Sequence, residues 1–328
     1  MKLPDFDSVI AAAERLEGRA IKTALLEDAM ISAIAGVRVL CKPEALQKTG
    51  SFKYRGAYNR LSQLSQAERR AGVVAFSSGN HAQGIARAAK ELSIDAIIVM
   101  PYDAPKVKVA GVLKDGAIIV GYHRERESRE EIAADIARDD SRTLVPSFDD
   151  PHIIAGQGTA GLELCQQAEA LGAKLDAVIV PMGGGGLCAG INLAVEGVSP
   201  DTKVFGAEPA YHDDHRRSMI SGMRERNVNA PDSLCDALLT PQPGAWTWPI
   251  NGRLLKGVFA ITDEECLLTM ALAHKHLGIT LEPGGAVALA AALSGRIREA
   301  GDFQTVGVVL SGGNVDPRVM ERALALLD

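Results

Sequence analysis

The chain has 328 residues, a formal net charge of −6, 47% hydrophobic residues and only 4% aromatic ones. That length calls for two domains or one large α/β domain with an insertion, and apolar mass drawn from Ala, Val, Ile and Leu suits helices on parallel strands. No basic tract interleaved with aromatics points to nucleic acid, no apolar run approaches a membrane span and no signal-peptide core opens the chain, so a cytoplasmic protein acting on a small molecule is expected.

In chain order, the first β-branched run is VRVLCK at 37–42, followed by KTGSFKYRG at 48–56. The latter sets Lys53 between Phe52 and Tyr54, at the start of a helix that turns Tyr54, Ala57, Leu61 and Leu64 inward. A lysine at a helix start is ordinarily solvated. At the edge of an apolar face it loses hydration, its ammonium form is disfavoured, and the neutral amine becomes a nucleophile toward a carbonyl. GVVAF, DAIIVM and AIIVGY then alternate with helical patterns, as in a doubly wound parallel sheet. FSSGNHAQG leaves the first of these runs and places Ser77, Ser78, Asn80 and His81 where free helix amides can hold a carboxylate, with capping by Ser78 or Asn80 as the equal alternative. HRERESREE mixes both signs of charge and reads as a solvated helix start. The alternation from 73 to 146 is complete in itself, which predicts a small domain, 72–148, inserted into a large one, 1–71 and 149–328.

The second series opens with DAVIVP and runs into Gly183, Gly184, Gly185 and Gly186, where successive amides without Cβ atoms can close on a phosphate at a helix N-terminus. Residues 184–189 also match GxGxxA, with Glu208 where a ribose-binding acid would sit, so an NAD-dependent oxidoreductase is a rival on local grounds. In GAEPAYHDDHRRS, Glu208 and Asp214 are hard oxygen ligands at loop spacing, unless Asp213 and Asp214 merely begin a helix. KVFGAEP at 203–209 continues the series of strand-like runs, residues 227–257 are the least regular, and VGVVLSGGNVDP closes the series. Cys41, Cys165, Cys188, Cys235 and Cys266 show no CxxC spacing and read as buried thiols.

SFKYRG, SSGNHAQG, GGGGL, AEP followed by DD, and SGGNVD, in this order over residues 10–325, resemble the fold type II (tryptophan synthase β-like) pyridoxal-phosphate enzymes. Within them the chain looks most like the serine/threonine dehydratase and serine racemase group, which displaces the NAD reading. The resemblance implies a two-domain α/β fold with doubly wound, mostly parallel sheets. It implies that Lys53 holds the cofactor aldehyde covalently and moves the substrate proton, with Phe52 against the ring, Asn80 on the phenolic oxygen and Ser311 facing the pyridine nitrogen. The amides of Gly183 to Leu187 would hold the phosphate, and Glu282 would support the ring. The substrate amino acid would be held at Ser77, Ser78, Asn80 and His81, with Ser78 as a second proton carrier for inversion. Arg129 aligns loosely with a substrate-facing arginine of the racemases. Mg, Mn or Ca would be bound by Glu208, Asp214 and the carbonyl at His212, where a small residue is usual, and Gly284 stands where relatives often have serine. A hydroxyl at the pyridine nitrogen makes a weaker electron sink than an aspartate and favours β-elimination. The implied activity is dehydration of L-threonine or L-serine to a 2-oxo acid and ammonia by a homodimer or homotetramer. Serine racemisation and dehydration of 3-hydroxyaspartate are the alternatives, and no room is left for a C-terminal regulatory domain.

Overall fold

A computed structural model describes residues 2–104 and 106–327. Nine strands are present among them: β1 (Arg38–Pro43), β2 (Val73–Phe76), β3 (Ala96–Pro101), β4 (Ile118–Tyr122), β5 (Thr143–Leu144), β6 (Ala177–Pro181), β7 (Lys203–Pro209), β8 (Gly257–Ile261) and β9 (Thr305–Leu310). They form a five-stranded sheet in the order β1-β9-β6-β7-β8 and a four-stranded sheet in the order β4-β3-β2-β5. Every strand pair is parallel. The sequence anticipates seven of the strands. The other two, β5 and β8, lie at sheet edges, where pairing on one side relaxes the apolar demand that makes a strand readable.

Strand periodicity divides each sheet into two apolar faces. On the five-stranded sheet, Val39, Cys41, Ala177 and Ile179 face helices Asp263–Leu277 and Pro283–Leu293, while Leu40, Val178, Val180 and Val309 face helices Pro151–Ala170 and Gly186–Val198. The last two helices approach closely because position 190 has no side chain: a Cβ on Gly190 would stand 2.3 Å from the Ile154 carbonyl oxygen. Under the four-stranded sheet, Val73, Ala75 and Ile98 pack with helix Asn80–Leu92 and also with Tyr54, Ala57 and Leu61 of helix Lys53–Ser62. The strands therefore separate between residues 72 and 148, but the packing beneath them draws on a helix that precedes that boundary.

That helix is anchored by a buried ion cluster. The Arg55 guanidinium, fully buried, donates from Nε to Glu44 Oε2 at 2.7 Å and from Nη1 to Glu163 Oε1 at 2.8 Å. Lys42 Nζ donates to the other Glu163 oxygen at 2.7 Å, and Nη1 also reaches Thr159. Burial works against the Arg55 charge, yet Glu44 and then Glu163 carry its pKa above the ordinary value. Removing one member of such a set strands the others unpaired, so Arg55→Met is expected to cost about 3–5 kcal/mol, read as a lowered urea midpoint at unchanged m-value. A loss below about 1 kcal/mol would place the cluster among weak surface pairs.

Candidate active site

Five loops leave carboxyl ends of parallel strands and meet at one cavity, the usual place for a ligand in an open parallel sheet. β1 leads to Phe52 and Lys53, β2 to Ser77–His81, β5 to Ser147 and Phe148, β6 to the glycine run, and β9 to Ser311. The cavity has a volume of about 280 Å³, and its wall includes every expected cofactor and substrate residue.

Lys53 opens helix Lys53–Ser62, and its Nζ donates to the Ser147 carbonyl oxygen at 2.7 Å, 5.1 Å from the Phe52 ring centre. Burial lowers its pKa from 10.5 to about 8, against the opposing pull of Glu282. Burial in turn raises Glu282 to about 7, reinforced by Asp236. Glu282 Oε1 accepts from Asn80 Nδ2 at 2.5 Å, and Asn314 Nδ2 donates to Asn80 Oδ1 at 2.7 Å. Asn80 is thus fixed at both ends of its amide, with one amide hydrogen left for a ligand. Ser311, nearly fully buried, stands just beyond β9, where its carbonyl accepts from the Phe52 amide at 3.1 Å.

In the turn after β2, the N-cap of helix Asn80–Leu92 is Gly79 with no side-chain cap bond. Neither Ser78 nor Asn80 caps it, and the Asn80 amide is bonded to Glu282 and Asn314 instead. Ser77 Oγ instead accepts from the Gly79 amide at 3.1 Å. His81 Nε2 lies 3.0 Å from the Val145 carbonyl oxygen, and burial pushes its pKa down to about 3, so the imidazole is neutral and donates there. What this turn offers an anion is main-chain N–H rather than side-chain charge. Arg129 does begin a helix, Arg129–Asp139, yet its guanidinium lies 5.5 Å from the Phe76 ring centre, in the cavity wall, with Nε on Glu130 Oε1 at 2.9 Å.

The glycine run is packed too closely to admit side chains. A Cβ on Gly184 would stand 2.3 Å from the Phe148 ring, one on Gly186 2.8 Å from Phe148 Cβ, and one on Gly185 2.6 Å from Asn251 Nδ2. Gly185 also has φ +89°, a conformation that glycine adopts without strain. From behind, Thr247 Oγ1 donates to the Gly184 carbonyl oxygen at 2.7 Å and Asn251 Nδ2 to that of Gly185 at 3.0 Å. The carbonyls being turned back, the amides at the start of helix Gly186–Val198 are left toward the cavity.

The expected metal ligands lie outside the cavity wall. Glu208, buried at the end of β7, accepts from the amides of His215 and Arg216 at 3.3 and 2.8 Å. Asp214 both starts helix Asp214–Ser221 and is buried, with Oδ2 lacking a partner. Among the described residues no three His, Cys, Asp or Glu side chains converge on one point. The His212 ring is turned away, its Nε2 2.7 Å from the Pro231 carbonyl oxygen.

Sequence reasoning missed Ser147, Phe148, Asn314 and the pair Lys108 and Asp236. A carbonyl, a packing ring and a rim ion pair carry no motif; Asn314 lies within SGGNVD, and the signal for Asp236 was the proline-rich irregularity before residue 257.

Residues 16–312 match the family model described as pyridoxal-phosphate dependent enzyme, and the chain belongs to that family. An L-threo-3-hydroxyaspartate ammonia-lyase of a Pseudomonas species is 42% identical over 316 residues, 96% of this chain and 97% of the relative. The crystal structure of serine racemase from Dictyostelium discoideum superposes with TM-score 0.89 at 38% identity, over 95% of this chain and 99% of that one. A threonine deaminase from T.th. does so with TM-score 0.90 at 40% identity and the same coverage. The fold is therefore that of the fold type II pyridoxal-phosphate enzymes. The residues present fit the group: a depressed lysine pKa for its aldehyde, Phe52 beside that amine, and a glycine turn at a helix N-terminus packed too closely against Phe148 and Asn251 to admit side chains.

Because the unprotonated amine is the nucleophile, lowering the Lys53 pKa brings its reactivity to lower pH. In cofactor-free protein, labelling of Lys53 by an acylating reagent is expected to be half-maximal near pH 8, with exposed lysines following near 10.4. Peptide mapping across pH reads both, and a Lys53 profile coincident with the surface lysines would remove the basis for its nucleophilic role.

Proposed function

We propose that this protein is a pyridoxal-phosphate-dependent ammonia-lyase that removes the β-hydroxyl from a 2-amino-3-hydroxy acid, with L-threo-3-hydroxyaspartate preferred. Arg129 carries the choice: a guanidinium in the cavity wall suits a substrate with a second carboxylate. The name of the 42% identical relative supports the same reading. L-Threonine or L-serine is the second reading, favoured by the pairing of Arg129 with Glu130, which already answers part of its charge.

Pyridoxal phosphate, when bound, supplies the electron sink that renders the substrate α-proton acidic. Lys53, with its pKa near 8, is poised as the base that takes this proton at Nζ. The amides of Ser78–His81 orient the α-carboxylate, and the neutral His81 locks their turn to Val145. The glycine-loop amides hold the phosphate, and Ser311 offers the ring nitrogen a hydroxyl rather than an acid. Ser78 is the hydroxyl we assign to any inversion at Cα, which elimination from the Lys53 side does not need. Overall the Cα–H and Cβ–O bonds break, the hydroxyl leaves as water, the resulting enamine shifts a proton from nitrogen to Cβ to become an imine, and water added at Cα releases ammonia and a 2-oxo acid. 3-Hydroxyaspartate would give oxaloacetate, serine pyruvate and threonine 2-oxobutanoate.

Holoenzyme offered the three amino acids is expected to show its highest kcat/KM with L-threo-3-hydroxyaspartate. Arg129→Met should lower that value roughly tenfold or more, chiefly through KM, while sparing L-serine. A wild-type preference for L-serine or L-threonine, unmoved by Arg129→Met, would leave the second reading in its place.

We further propose that Glu208, Asp214 and the main-chain carbonyl of His212 hold a divalent cation. Burial, then the charge of Asp214, raises the Glu208 pKa well above its ordinary value, and burial raises Asp214 to about 7. Two buried acids with one unpartnered oxygen suit a hard cation. A ligand that binds only the folded state stabilises it by about 2.7 kcal/mol at a hundred times its Kd. Mg, Mn or Ca should therefore raise Tm by several degrees, chelation should reverse this, and Asp214→Asn should abolish the response. Equal melting with chelator and with each cation would refute the site.

A further inference from the structure

Lys108 belongs to neither the expected site nor the chemistry above, yet it lines the cavity. It lies on helix Lys106–Lys114, and its Nζ is 3.9 Å from where a Cβ on Gly79 would stand, beside the turn that presents its amides to the α-carboxylate. Its partner comes from the other side of the cavity. Lys108 Nζ donates to Asp236 Oδ2 at 2.7 Å, and Asp236 begins the short turn Asp236–Leu238 that packs on helix Pro283–Leu293 of the five-stranded sheet.

The two partners differ in access to water: the Lys108 side chain is 14% exposed and that of Asp236 59%. Asp236 can swing into solvent and keep its charge hydrated, whereas Lys108 left alone would be an under-solvated cation facing the cavity. An ion pair with one partner so exposed is weak and readily exchanged. A carboxylate arriving from a ligand can take the place of Asp236 with the number of ion pairs unchanged. Through the exposed Asp236 the pair reaches the solvent side of the cavity, while the Lys53 amine that must face Cα is turned to the Ser147 carbonyl. The group nearest the solvent side is then the one that extends beyond Cβ.

We propose that Lys108 is a second cation for the distal carboxylate of the substrate, masked in the empty cavity by Asp236, which that carboxylate displaces. This rests on the dicarboxylate reading of the substrate given above. It makes Lys108 a specificity-determining residue and Asp236 an internal competitor of the ligand, so the two substitutions have effects of opposite sign.

L-Aspartate, which has both carboxylates and no β-hydroxyl to lose, and L-alanine, which has one carboxylate, are the probes, titrated calorimetrically into holoenzyme. Lys108→Met is expected to weaken L-aspartate binding roughly tenfold or more. Asp236→Asn is expected to strengthen it a few-fold, on the scale of a part-exposed ion pair. L-Alanine should change little in either variant. If Asp236→Asn weakens L-aspartate binding, the pair is a structural latch and the proposal falls; equal shifts for L-alanine, or no shift for either probe, also overturn it. Should Lys108→Met fail to fold by circular dichroism, Lys108→Gln replaces it, and the sign for Asp236→Asn still decides. Turnover separates the two readings. The expected signs in an enzyme that dehydrates only L-serine would sink the substrate assignment alone, and turnover of 3-hydroxyaspartate without those signs would sink the role of Lys108 alone.

Discussion

The site depends on one buried charge. Arg55 follows Lys53 by two residues in the first turn of the same helix, and its guanidinium reaches Glu44 beyond β1 and Glu163 on helix Pro151–Ala170. An unpaired charge in that interior would cost several kcal/mol, so these segments cannot slip past one another while the protein is folded. Lys42 extends the tie to the Thr23 carbonyl. Lys53 is held in place less by its own helix, which starts without a side-chain cap bond, than by what Arg55 grips behind it.

Toward the cavity the logic reverses. Lys53, Glu282 and His81 have no complementary cluster of that kind, and burial moves each toward its neutral form: the lysine to about 8, the carboxyl to about 7 and the imidazole to about 3. Main-chain N–H groups are left to meet an anionic ligand, at the turn after β2 and at the glycine run. Dipoles suit such depth because they attract anions without a desolvated counter-charge of their own.

What the sequence makes legible follows the same division. Gly183 to Gly186 are visible because the backbone there leaves no room for side chains, and SSGNHAQG because a strand must turn directly into a helix. Lys53 stands out through its aromatic neighbours and inward stripe. Ser147 is invisible because any residue supplies the carbonyl it gives to Lys53. Phe148 and Asp236 sit in loops whose backbones demand no residue type, and Arg55 reads as one more surface arginine until Glu44 and Glu163 meet it across the fold. The capping alternative at Asn80 fails for a tertiary reason that local sequence does not contain: Asn80 is bonded to residues 202 and 234 positions further along the chain.

Depth also sorts what the cavity can discriminate. The inner groups, Lys53 and the amides of residues 78–81, suit an α-proton and an α-carboxylate, which every candidate substrate shares. They cannot tell serine from threonine or 3-hydroxyaspartate. Full positive charge that a ligand can reach stands farther out, at Arg129 and Lys108, whose carboxylate partners Glu130 and Asp236 are both more than half exposed. Burial disfavours a bare cation in the depth, the same effect that lowers the pKa of Lys53. Recognition of a second carboxylate, as proposed above, would therefore fall at the rim, where water can take over the partner that is displaced. Relatives of this chain with the same fold carry names for three different amino-acid substrates, and a cavity with shared inner groups and a variable rim would permit that range.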